Sequence, residues 1–118
     1  MATKNTRISY QYRDGSNYKQ FQELVLFGTL TVKQQTLIIN KLEEGEYFIP
    51  SQVGLPDLQD RMISFPNSDD HVWHELHSFE DVTKEQTHPM TAKELLNMFK
   101  AVKEWSVEET SKELGLLF

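Results

Sequence analysis

Residues 69–79 read Asp-Asp-His-Val-Trp-His-Glu-Leu-His-Ser-Phe, and their backbone decides how the rest of the chain is arranged. In a strand, His71, Trp73, Glu75, His77 and Phe79 share one side, with Val72, His74, Leu76 and Ser78 on the other. In a helix, His71, His74 and Glu75 fall on one face at i, i+3 and i+4. Val72, Leu76 and Phe79 also fit a helical stripe, so periodicity alone leaves both readings open. Val and Trp favour extended backbone, and Asn67-Ser68-Asp69-Asp70 suits a turn leading into it. The stretch is therefore read as a strand.

That choice governs the chemistry open to it. Imidazole and carboxylate are ligands for zinc and similar divalent metals, which makes His71, His74, Glu75 and His77 the candidate metal set. A strand offers two of them at best. Glu75 and His77 would lie about 6 to 7 Å apart at the backbone, with His74 turned away. His74-Glu75-Leu76-His77 is also one residue short of H-E-x-x-H, whose histidines must lie one helical turn apart. The default expectation is no cofactor, with a divalent metal such as zinc as the alternative. Acid–base work by His74 or His77 with Glu75 would need a pocket and a shifted pKa, so no catalytic residue is assigned. The competing reading is structural: Trp73 and Phe79 in the core, and the histidines and Glu75 bonded to nearby backbone or in solvent.

Upstream, Pro50, Gly54 and Pro56 punctuate an irregular segment over 50–68. Pro50, Gln52, Gly54 and Pro56, with Trp73 as a large anchor, are the candidate loop and interaction residues. Ile49-Pro50-Ser51-Gln52-Val53-Gly54-Leu55-Pro56-Asp57-Leu58-Gln59, followed by Asp70-His71-Val72-Trp73-His74-Glu75-Leu76, resembles a pattern in a family of small uncharacterised bacterial proteins. The resemblance implies a bacterial origin and a stand-alone domain. It brings no activity, cofactor or functional residue with it. Asp57 to Met62 is expected to make one helical turn with Leu58 and Met62 inward, and Ser64 to Asp70 a turn or loop.

Working outward, Ile8, Tyr10 and Tyr12 alternate with Arg7, Ser9 and Gln11, which marks a half-buried strand. Asp14-Gly15-Ser16-Asn17 is a hairpin signal. The near-continuous apolar run around Leu24-Val25-Leu26-Phe27 predicts a strand covered on both faces and central in its sheet. Thr31 and Gln34 fit a capping box opening a helix over 32–43, with Ile38, Ile39 and Leu42 buried and Gly45 ending it. Residues 46–49, stopped by Pro50, suit an edge strand. Thr91 and Glu94 form a second box, and Ala92, Leu95, Leu96, Phe99 and Val102 follow at helical spacing. Ser106 and Glu109 suggest a third box before a short helix, stopped by Gly115 and followed by Leu116, Leu117 and Phe118.

The expected order is β-β-α-β-(loop)-β-α-α. This is α+β, a small, mainly antiparallel sheet with helices on one face, in a single domain over 1–118 whose first six residues fray. Thirteen aromatics in 118 residues supply apolar surface for a core. The absence of cysteine excludes disulfides, zinc–thiolate sites and thiol nucleophiles, and fits a reducing cytoplasm. No apolar run suggests a secretory signal or a membrane span. Net charge is −6, and the first 40 residues carry +3 against −9 for the remainder. An acidic protein repels phosphates, so nucleic acid is not expected as a partner, and the lack of a long apolar run leaves no membrane expected either.

No nucleophile elbow, phosphate loop or Walker lysine occurs. The leading expectation is therefore a non-enzymatic protein-interaction module, with homo-oligomers among the options. A metal-dependent or acid–base enzyme using 71–77, and a small-ligand site beside the 50–62 loop, are the alternatives.

Overall fold

The computed structural model describes residues 4–59 and 71–114. Its elements are β1 (Asn5–Arg13), β2 (Lys19–Leu26), α1 (Val32–Lys41), β3 (Tyr47–Phe48), a 3-10 turn (Pro50–Val53), β4 (His74–Val82), α2 (Ala92–Ala101) and α3 (Val107–Leu114). The strands form one antiparallel sheet in the order β2-β1-β4-β3, so the chain is α+β. Among the described residues, no helix is long and apolar enough to cross a membrane.

β1 is the spine. Ile8, Tyr10 and Tyr12 point inward and are fully buried, while Arg7, Ser9, Gln11 and Arg13 form the outer row. The hairpin to β2 closes on Asp14, whose carboxylate accepts from the amides of Ser16 and Tyr18, with Asn17 at φ 69°. The expectation that β2 is central is corrected: it is an edge strand. Its apolar run is nevertheless buried, because the segment before α2 covers the outer edge at its C-terminal end. Val25 exchanges hydrogen bonds with Thr87, and Phe27 with Met90 and Ala92.

Both helical capping boxes at Thr31 and Thr91 are present, with side chain and backbone bonded reciprocally. The stripe Ala92, Leu95, Leu96, Phe99 and Val102 is buried. Ile38 in α1 and Leu42 just after it are buried, but Ile39 is 43% exposed, one step of about 100° around the helix from Ile38. α1 stops at Lys41. Gly45, at φ 73°, serves the turn that brings Glu43 against Tyr47 rather than the helix end itself. The third box is also corrected, since the Ser106 amide donates to the side chain of Gln52.

β4 is a strand, as its composition predicts, but it starts at His74 and does not alternate throughout. Ser9 faces Ser78 and Tyr10 faces Leu76, so His77 has no opposite number and a bulge shifts the phase. His74, Leu76 and Phe79 therefore all turn toward the core, where simple alternation puts Phe79 on the other side. Expectations for Met62, Ser64 to Asp70, Gly115, Leu116, Leu117 and Phe118 fall outside the described residues.

Candidate functional site

His74 is fully buried between Tyr10, Tyr12 and Phe48. Its Nε2 accepts from the Leu58 amide at 3.0 Å, so the proton must sit on Nδ1, which donates to the Val72 carbonyl at 3.1 Å. Loss of water around the ring pulls its pKa from 6.5 down to about 3; the Val72 carbonyl opposes this and His71 adds to it. His71 is engaged in the same way. Its Nδ1 accepts from the Trp73 amide at 3.0 Å, and Nε2–H donates to the Arg13 carbonyl at 2.6 Å. Each ring thus has both nitrogens committed to backbone.

The other members of the set lie apart from this pair. Glu75 sits on the outer face, accepting from Gln11 at 2.9 Å and pairing with Arg13 at 3.2 Å. His77, at the bulge, is exposed and edge-on to Phe21 with ring centroids 6.2 Å apart. Among the described residues, no three His, Asp or Glu side chains are grouped to hold a metal ion.

The proline-rich segment is anchored to its own chain. The Tyr10 hydroxyl donates to the Pro56 carbonyl at 2.6 Å. Gly54 adopts φ 81° and offers its carbonyl to His88 at 2.9 Å. Pro50 is buried as the first residue of the 3-10 turn. Gln52 clamps the link before α3, donating to the Glu104 carbonyl and accepting from the Ser106 amide. The Gln59 side chain donates to the His71 carbonyl, and the His71 amide donates to the Tyr12 hydroxyl. These bonds draw the start and finish of the intervening segment together beside His74.

Trp73 is different. It is half-buried on a small second core of Ile49 and Val72, with Trp105 and Leu114 against it. Its exposed part lines three adjoining clefts. One, of about 520 Å³, runs past Lys41, Val102, Lys103 and Trp105. The second, about 470 Å³, is bounded by Glu43, Glu44, Tyr47 and His71. The third, about 190 Å³, reaches Arg13 and Glu75. Cross-ties fix the walls: Trp105 Nε1 donates to the Lys41 carbonyl and Lys41 Nζ to the Val102 carbonyl.

The sequence marks Trp73 as an anchor but does not single out Tyr47 or Trp105. The available signals were weak: a tyrosine in a two-residue strand, and a tryptophan in a polar link between helices. The groove is an open aromatic surface with carboxylates and lysines interspersed along its walls. It offers stacking, apolar contact and ion pairing, and its histidines hold the backbone that carries Trp73.

No protein-family model matches the chain, and no significant similarity to a curated protein or to a solved structure is found.

Proposed function

We propose that this chain is a small, non-enzymatic protein-interaction domain that takes an extended segment of a partner polypeptide along the groove floored by Trp73. The observation that carries the proposal is the position of Trp73, shared by three adjoining clefts and tethered through the ring of His71. Tryptophan and tyrosine supply large contact area at low entropic cost, and such residues dominate binding energy at interfaces. The clefts are open, which suits a chain lying along them better than a small molecule that must be enclosed. Lys41, Lys103, Glu43, Glu44 and Glu104 around the clefts favour a segment with an apolar anchor flanked by both charges. The reading needs no cofactor, and His71, His74, Glu75 and His77 enter it as scaffold. A cytoplasmic, bacterial setting belongs to the same proposal, resting on the cysteine-free composition and on the resemblance in residues 49–59 and 70–76.

The test is selection of displayed random peptides on the intact protein, followed by NMR titration of the best binder. Shifts should centre on the Trp73 indole and on Tyr47. Trp73→Ala should weaken binding by at least about tenfold with the fold retained, the effect expected of a central aromatic anchor. Tyr47→Ala serves as a second variant, lining the same cleft as the indole. Shifts confined to another surface, or no retained peptide, would refute the proposal.

A further inference from the structure

The two edges of the sheet differ. β3 is two residues long, and Glu43 bonds across its outer side. Among the described residues, the outer edge of β2 is covered only at Val25 and, just beyond the strand, at Phe27. The outward groups of β2 are those of its odd-numbered residues, because Val25 gives both its amide and its carbonyl to Thr87, while Tyr18 faces Asp14 across the hairpin. The amides and carbonyls of Lys19, Phe21 and Glu23 therefore point outward, and among the described residues only the Glu23 carbonyl meets a donor, the Gln22 side chain at a long 3.4 Å, which a pairing strand would displace. The window between the turn and the covered end is Lys19-Gln20-Phe21-Gln22-Glu23.

We infer that this edge pairs with the same edge of a second copy, antiparallel about a two-fold axis at Phe21, to make a continuous eight-stranded sheet. The five residues are self-complementary in that register. Lys19 meets Glu23 of the other copy, Gln20 meets Gln22, and Phe21 meets Phe21. All three outward residues become hydrogen-bonded pairs, so six backbone bonds form together. The side chains agree. Lys19 lies opposite Arg13 across the hairpin and has no ion pair among the described residues. Glu23 is only 3.8 Å from Arg7, whose closer partner is Glu80 at 2.6 Å. Phe21 stands 64% exposed on an otherwise polar face. A lysine on an open edge ordinarily discourages chance pairing. Here it disfavours registers other than the one that sets Glu23 against it. This edge is separate from the Trp73 groove, and the inference stands if the groove takes no peptide.

Sedimentation equilibrium of the intact protein tests it through charge reversal. The wild type should dimerise as concentration rises. Lys19→Glu or Glu23→Lys alone places like charges opposite one another twice per dimer and should weaken association by about tenfold or more. The two single variants mixed should dimerise with each other, and Lys19→Glu/Glu23→Lys should recover self-association. Trp73→Ala should leave the dimer intact. A wild type that stays monomeric, single reversals that dimerise unchanged, or a mixture that stays monomeric would overturn the inference. So would a dimer abolished by Trp73→Ala, which would locate the contact at the groove.

Discussion

His74 couples the fold to pH through one proton. In the unfolded chain its ring takes up a proton below about 6.5, while in the folded protein it stays neutral down to about 3. The unfolded state therefore binds more protons across that window, and stability present in full above pH 6.5 is lost as pH falls. The slope is about 1.4 kcal/mol per pH unit, or about 2 kcal/mol between pH 7 and pH 5. Urea melts at the two pH values should reveal that loss, and His74→Asn should flatten it. Equal differences in both proteins would contradict this account. Gly54 carries a different constraint. At φ 81° a side chain strains the backbone, and a Cβ would stand 2.5 Å from the Met90 methyl. That methyl ends a flexible chain and can move, whereas the backbone strain cannot be relieved. Gly54→Ala should cost about 1–2 kcal/mol in thermal or urea melts, and adding Met90→Ala should not restore it.

Among the elements, α3 is entered through a link held by one remote side chain. Gln52 satisfies the Ser106 amide just before that helix and the Glu104 carbonyl two residues earlier. Gln52→Ala should speed amide exchange in α3 selectively and cost about 1–3 kcal/mol, with exchange in the sheet unchanged. The elements that were readable in sequence are those specified locally. The alternation of Ile8, Tyr10 and Tyr12, the boxes at Thr31 and Thr91, and the stripe from Ala92 to Val102 all lie within one segment. What escaped depends on partners far along the chain. The edge position of β2 follows from β1 pairing with β4, and its buried run from the 86–92 segment. The phase shift at His77 follows from the register against Ser9 and Tyr10. Ser106 has the sequence of a box, but Gln52 reaches its amide.

For the whole molecule, the site was legible only as Trp73 and the shaped segment before it. The groove takes walls from the end of α1, the β3 turn, the approach to β4 and the link between α2 and α3, and no local pattern records that convergence. The histidine cluster invited a chemical reading because its residues are close in sequence. Strand geometry sends His74 into the core and leaves Glu75 and His77 outside it, each with its own neighbours. β1 has a further consequence, this time for how the chain is made. Its pairs with β2 close over a hairpin, but its pairs with β4 join residues from Tyr12↔His74 to Asn5↔Val82, more than sixty positions apart. During synthesis the hairpin can form as soon as Leu26 emerges, yet the other side of β1 stays open until β4 has left the ribosome. The nascent chain thus holds an unzipped central strand through most of its translation, and final closure is a slow, long-range step.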